Sequence, residues 1–365
     1  MASRSGTLSK ATEFGTNFGR LNHRMHNKSW IADNRIALVG GRNLGDEYFD
    51  ADDGINFVDL DLLMAGPVVT QVSSNFDRFW NSPSNYPIAQ LAPEAATDAA
   101  LVQLRGVLDQ AAIELRSSPY AQILRDDVNV QDLLDGDTRL YWSKQWKFVS
   151  DAPMKATLPM ADRSEVLKVL VPAMRGAGRE LRLISPYFVP GEMGTELLVE
   201  GAKSSRNVLI LTNSLAANDV AAVHGGYMEY RPALLKGGVQ LWELKPTGNA
   251  PSKFSLGGSS GSSLHTKAMI VDADTVFVGS YNLDPRSTSL NSEQGVLVSH
   301  PVLAEQLTRI FERQISPQRA WKVSVDDKGT VWTDGTQIFR KEPDAPTSRR
   351  FMAWLMKVLP VESQL

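Results

Sequence analysis

The 365-residue sequence has no cysteine, which excludes disulfides and thiolate catalysis and leaves His, Asp and Glu as the plausible metal ligands. No stretch comes near the roughly 18 uninterrupted apolar residues of a membrane-spanning helix, and no apolar h-region follows Met1. Neither a transmembrane segment nor a signal peptide is therefore expected. There is no excess of positive charge either. The formal net charge is −3, so no global field gathers nucleic acid or anionic lipid, and any such attraction must come from local patches. Two patches stand out: Arg20, His23, Arg24 and Lys28 in one, Arg349, Arg350 and Lys357 in the other. With 42% apolar and 22% charged residues, the chain reads as an ordinary globular protein long enough for two lobes, not as a disordered or fibrous one.

What the sequence does have is an internal repeat. His26, Lys28 and Asp33 are followed by Gly40 and Asn43; His265, Lys267 and Asp272 are followed by Gly279 and Asn282. Each of these five pairs lies 239 residues apart. At ordinary residue frequencies, such a five-point match has a chance on the order of one in ten million per start position.

Around the second copy the pattern is α/β. Residues 181–185, 208–212 and 239–243 read as strands, and 161–175 and 227–236 as helices, the latter ending at Gly237-Gly238. Residues 268–272 and 275–279 form a strand pair about a tight Ala273-Asp274 turn, with a counterpart at 29–33 and 35–40. A mixed sheet flanked by helices is expected. The expected organisation is a partial first lobe at 1–85, a connecting region at 86–160 with a helix from about Thr97 to Leu115, a second lobe at 161–325, and a C-terminal extension at 326–365. Because only 25 residues precede His26, against about a hundred residues of strand and helix before His265, the first lobe reads as N-terminally incomplete, with open sheet edges. Residues 1–19 are expected to be poorly ordered, and the Gly/Ser-rich run from Ser252 to Ser263 to act as a flap.

Phosphodiester exchange needs a nucleophile, an acid for the leaving alkoxide, and positive charge around the non-bridging oxygens. A neutral imidazole can attack phosphorus while a protonated one serves the departing alcohol. On a strand, residues two apart face the same side, so His26 with Lys28 and His265 with Lys267 would project into one cleft. The lysines would hold the phosphate, and Asn43, Asn282 and Ser280 would add hydrogen bonds. No metal or other cofactor is required. Each histidine also needs an orienting carboxylate. Glu293 is the candidate in the second lobe; in the first it is Asp59, on an expected strand from Phe57 to Met64 with Asp61 on the same face.

The two copies, HNKSWIAD with GGRN and HTKAMIVD with GSYN, resemble the signature of the phospholipase D superfamily. The stretches SPYFVPG (185–191), LTNSLAAND (211–219), VHGGYMEYR (223–231) and LDPRSTSLNSE (283–293) resemble bacterial cardiolipin synthases of the C type. That resemblance, running from about residue 20 onward, implies two phospholipase D-like lobes about a pseudo-twofold with the site at their interface. It also implies ping-pong transfer of a phosphatidyl group through a phosphohistidine to phosphatidylglycerol. Phosphatidylglycerol, or phosphatidylethanolamine as donor, would be the partner lipid, nucleic acid would not be bound, and the protein would sit peripherally on the bacterial inner membrane. Analogy favours His26 as nucleophile and His265 as acid, with the reverse left open. A phosphodiesterase or nuclease of the same superfamily, or an inactive synthase remnant, are the competing readings.

Three other features read two ways. His224, Tyr227 and Arg231 share a helical face, for a headgroup pocket or for packing. Trp142 and Trp146 bracket Lys144 on an expected strand, with sheet packing the favoured role. The segment Thr347–Leu359 reads as a basic amphipathic helix with Phe351, Trp354, Leu355 and Val358 on one face, for a membrane surface or for the protein's own core.

Overall fold

A computed structural model describes residues 23–49, 51, 56–91, 97–118, 138–218, 220–246 and 263–359, with scattered positions from 121 to 135. The segments 1–19 and 252–262 lie outside the described residues. The strands are β1 (Ser29–Ala32), β2 (Ile36–Gly40), β3 (Phe57–Val58), β4 (Asp61–Ala65), β5 (Trp146–Ser150), β6 (Glu180–Ile184), β7 (Asn207–Asn213) and β8 (Gln240–Leu244). There follow β9 (Ser263–Leu264), β10 (Ala268–Val271), β11 (Thr275–Gly279), β12 (Gln294–Ser299), β13 (Ala320–Asp326), β14 (Gly329–Thr333) and β15 (Ile338–Phe339).

Ten of these form a mixed sheet in the order β15-β14-β13-β8-β7-β6-β10-β11-β12-β5, in which β6, β7 and β8 run parallel and the other pairings are antiparallel. The period-two alternation of β7 assigns its two faces. Val208 and Ile210 join a core with Val166, Leu170, Leu198 and Leu234 from the helices Glu165–Gly176, Gly191–Lys203 and Ala221–Lys236. Leu211 faces the other way, into a core with Ala304, Leu307 and Phe311 of the helix Pro301–Gln314. Each such fully buried aliphatic or phenyl side chain contributes about 1.5–3 kcal/mol relative to exposure.

The repeat is visible as two hairpins of matching register. β1 pairs with β2 with Ser29 opposite Val39, and β10 pairs with β11 with Ala268 opposite Val278, the same register 239 residues on. In both, the turn begins with two residues at positive φ: Asp33 and Asn34 in the first, Asp272 and Ala273 in the second. Asp and Asn tolerate this left-handed conformation, which suits the twist of a tight hairpin. The small sheet β1-β2-β4 packs Ala37 and Val39 of β2, with Val68, Val69 and Val72 of the helix Pro67–Trp80, into the second core of the large sheet. Among the described residues, β10 has strands on both sides, whereas β1 pairs only with β2 and Trp30 is 59% exposed.

The chain divides into two compact units, one formed by the residues through Asn75 together with those from Ser143 onward, the other spanning Phe76–Trp142. Both repeats belong to the first, where Val39 of one hairpin and Val278 of the other lie in one core. The second contains the helix Asp98–Arg116, which Thr97 caps by accepting the Ala100 amide at 3.2 Å. The helices expected at 161–175 and 227–236 are found at Glu165–Gly176, capped by Ser164, and Ala221–Lys236. Two expectations are corrected. The strand begins at Trp146 and Trp142 is 78% exposed, so the two do not bracket Lys144 on one strand. The expected strand from Phe57 to Met64 is broken at Asp59 and Leu60, because β3 pairs with β9 while β4 pairs with β2.

Candidate active site

That break in the strand builds the site. β3 runs parallel to β9, placing Val58 beside Leu264, so the next residues, Asp59 and His265, emerge side by side. The amides of His265 and Thr266 both donate to Val58 O, at 2.9 and 3.0 Å. The other repeat does the same with its partners exchanged. Met25 forms a parallel bridge with Ser292, and the His26 amide donates to Ser292 O at 3.0 Å, so the next residues there are His26 and Glu293. Asp59 Oδ2 lies 2.6 Å from His265 Nδ1, and Glu293 Oε2 lies 2.8 Å from His26 Nδ1. Each carboxylate thus orients the histidine of the other repeat. The lobe-by-lobe assignment, Glu293 for the second lobe and Asp59 for the first, is corrected by this crossing. The two carboxylates are nevertheless equivalent by register: Asp59 stands two residues before Asp61, opposite Gly40, and Glu293 two before Gly295, opposite Gly279.

The lysines are matched as well. Lys28 Nζ donates to His26 O at 2.7 Å and Lys267 Nζ donates to His265 O, which curls each ammonium back beside its histidine. Burial and the nearby Lys267 charge bring the Lys28 pKa down to about 7. Burial likewise pushes His265 well below the ordinary imidazole value, helped by Lys267, Lys28, His26 and Arg42. His26 is lowered too, chiefly by burial, with Glu293 opposing. Burial works against the Glu293 carboxylate, yet His26, Ser280 and Lys28 hold its pKa below the usual glutamate value; Asp59 is pushed upward by its own burial. Lys28, Lys267 and the two imidazoles feel one another's charge, and a site lined in this way favours an anion.

Of the remaining expected residues, Ser280 Oγ donates to Glu293 Oε2 at 2.5 Å, so it braces the carboxylate. Asn282 is 4% exposed and its Oδ1 has no partner among the described residues. Asn43 is exposed and donates to the Tyr48 hydroxyl at 2.6 Å. Asp33 and Asp272 are not brought to the histidines. Asp272 instead accepts the amides of Gly178, Arg179 and Glu180 at 2.6–2.8 Å, tying its hairpin turn to the start of β6, and Asp33 occupies the corresponding exposed turn. Asp61 pairs with Arg42 at 2.7 Å, and the same guanidinium donates to Asp59 O at 3.3 Å.

Sequence reasoning missed the groups that hold Glu293 and His265. Asp151 accepts the Glu293 amide at 3.0 Å and Lys155 Nζ at 2.6 Å, and its own amide donates to Glu293 O at 2.9 Å. This fully buried pair also binds Ser287 O through Lys155 and the Glu165 amide through Asp151. Its only sequence trace is an i, i+4 spacing of opposite charges. Against His265 lie the rings of Tyr48, edge-on at 5.0 Å, and Phe57 at 5.4 Å. Those contacts join elements with no shared pattern, so no local signal announces them.

His224, Tyr227 and Arg231 are all buried, as side-chain packing requires. Arg231 bridges Glu243 at 3.0 Å and Glu342 at 2.8 Å, and Trp332 Nε1 donates to Glu243 at 2.8 Å. His224, Glu243 and Glu342 converge closely enough to hold a cation, but the Arg231 guanidinium already supplies the positive charge between the two carboxylates.

This chain matches the family described as cardiolipin synthase, PLD-like domain, over residues 170–315. It is 39% identical over 357 residues to cardiolipin synthase C of Escherichia coli strain K12, covering 95% of this chain and 74% of that protein. A cardiolipin synthase of Halalkalibacterium halodurans is 27% identical over 75% of this chain and 42% of its own length. In fold it is similar to the crystal structure of phosphatidylserine synthase from Haemophilus influenzae, with TM-score 0.50 and 14% identity, covering 83% of this chain and 64% of that one. Identity at that level over nearly the whole chain, on a fold that brings the paired motifs together, means that the chain belongs to the cardiolipin synthase family of the phospholipase D superfamily.

Proposed function

We propose that this chain transfers a phosphatidyl group between membrane phospholipids through a phosphohistidine, giving cardiolipin when the acceptor is phosphatidylglycerol. The observation that carries the reading is the crossed pair of carboxylate–imidazole dyads, each flanked by a lysine, Lys267 buried and Lys28 half-buried. With Nδ1 engaged by a carboxylate, the Nε2 of each ring is left for chemistry. His26 is the proposed nucleophile: the ionised Glu293 on its Nδ1 stabilises the positive charge that grows on the ring as Nε2 bonds to phosphorus. The P–O bond to the first alcohol breaks, and the leaving oxygen takes a proton from His265. That imidazole is neutral in the empty cleft, and it gains its proton once a phosphodiester anion neutralises Lys28 and Lys267. In the second half the acceptor hydroxyl gives its proton to His265, its oxygen bonds to phosphorus, and the P–N bond breaks. Cardiolipin synthase C of Escherichia coli and its relatives support the lipid assignment by their names.

No helix among the described residues is long and apolar enough to cross a membrane. Contact with the bilayer, proposed as peripheral and on the bacterial inner membrane, falls to the helix Thr347–Val358. The segment's two faces suit both readings. Ala353 is fully buried against the helix Ala221–Lys236, where a Cβ on Gly225 would come within 2.5 Å of Ala353 O. Phe351, Trp354 and Val358, at spacings of three and four, are 52–59% exposed. Its basic residues are engaged: Arg349 donates to Asn218 O, Arg350 to Glu342 O at 2.7 Å, and Lys357 faces Glu229 at 3.5 Å. Insertion of the aromatic face, rather than charge, is thus the proposed driving force.

Incubation of the purified chain with vesicles containing labelled phosphatidylglycerol and phosphatidylethanolamine should yield cardiolipin, and H265A should abolish it. Cardiolipin persisting in H265A, or cleavage of single-stranded DNA without lipid turnover, would sink the reading. Co-sedimentation with the same vesicles should fall for F351S/W354S; unchanged binding would remove the helix from the interface.

A further inference from the structure

Three arginines surround the segment Ser289–Ser292, which leads directly into Glu293. Arg24 O accepts the Ser292 amide at 3.1 Å, two residues before His26. Arg286 O accepts the amides of Leu290 and Asn291, both at 2.9 Å. Arg163 donates from its guanidinium to Ser289 O at 3.4 Å and to Leu158 O at 2.9 Å. His23, next to Arg24, is exposed and feels the charges of Arg163 and Arg286. Arg24 is exposed and Arg163 and Arg286 are half-buried, and neither Arg24 nor Arg163 has a carboxylate at ion-pair distance among the described residues. Burial and the charge of Arg24 lower the Arg286 pKa, with Asp284 and Glu293 opposing, and like charges gathered in this way gain free energy when an anion sits among them. Nothing in the dyads or the lysine pair uses this cluster, although it borders the His26–Glu293 side of the cleft.

We propose that Arg24, Arg163 and Arg286 form a second anion subsite, which holds the phosphodiester of the acceptor lipid while the donor's phosphorus is on His26. The inference rests on the transfer reading above. If two phospholipids are joined head to head, two phosphate charges must lie within one glycerol of each other, and Lys28 and Lys267 serve only the one being transferred. A guanidinium cluster beside the segment that leads into Glu293, with Arg24 two residues before the nucleophile, answers the second charge, and planar guanidiniums suit the paired oxygens of a phosphodiester. The acceptor's phosphate would then anchor its glycerol so that a hydroxyl reaches phosphorus. Water and neutral alcohols, which carry no such anchor, would be disfavoured acceptors without being excluded by shape.

The test is a competition between acceptors. The full chain is given one labelled donor lipid with phosphatidylglycerol and free glycerol as rival acceptors, and the ratio of the two transfer products is measured. In R24Q/R286Q the ratio should fall roughly tenfold, the order expected for losing charge-assisted hydrogen bonds. R24K/R286K, which keeps the charge, should restore most of it. A ratio is insensitive to how much of the variant folds. An unchanged ratio overturns the subsite while leaving the transfer reading standing. Absence of both products from the unaltered chain overturns the transfer reading, and the subsite with it.

Discussion

Behind His26, Ser280 braces Glu293 through a hydrogen bond of 2.5 Å; behind His265, the position equivalent to Ser280 is Gly41. A Cβ built on Gly41 would lie 2.5 Å from Asp59 Oδ1, so the shorter aspartate occupies the room that a serine side chain would take. The two sides are therefore matched as pairs, serine with glutamate and glycine with aspartate. G41S should push Asp59 off His265, and S280A should loosen Glu293. Each is expected to lower kcat roughly 10–100-fold with little change in KM, as for the loss of a group that orients a catalytic residue. Steady-state kinetics on phosphatidylglycerol vesicles would check this, and a rise in KM alone would count against it. Lys28 gives a pH signature. Its pKa of about 7 in the empty site must rise when an anion binds, so binding takes up a proton above pH 7. Affinity for a soluble phosphodiester such as glycerophosphoglycerol should weaken as pH rises above 7, by up to about tenfold per unit for each proton taken up, here by Lys28 and His265. Calorimetric titration across pH 6–9 should show this; pH-independent binding would mean that Lys28 stays charged throughout.

The hairpins explain how much could be read from the sequence. The shift of 239 residues locates two equivalent hairpins, and the spacing of His and Lys on one strand face locates the cleft. The motif's aspartates mislead for a physical reason. They recur because a tight turn needs residues that accept positive φ, and Asp272 further collects three backbone amides; both demands are met far along the strand from the imidazole. D272A should therefore cost about 1–3 kcal/mol of stability through its unsatisfied amides, measurable by urea unfolding, while the turnover of the folded fraction persists. Loss of turnover at full stability would return Asp272 to the chemistry. The crossing of the carboxylates was not legible, because it depends on β3 breaking after Val58 to join β9, and a pairing between segments some 200 residues apart leaves no periodicity. The Asp151–Lys155 support under Glu293 was hidden for the same reason.

Taken together, the repeats make one site by exchanging partners: each strand that ends in a carboxylate lies parallel to the other repeat's approach to its histidine. Neither repeat contains a complete dyad, so the proposed chemistry requires both, and the shared core between the small and large sheets holds them in place. Division of labour between the two imidazoles is then the central claim. It is tested most directly with a phosphodiester carrying a leaving group acidic enough to depart without protonation, followed by mass spectrometry of the quenched protein. The adduct should form on His26, accumulate in H265A because no acid–base group remains to discharge it, and be absent from H26A. An adduct on His265 in H26A, or none in H265A, would contradict the account.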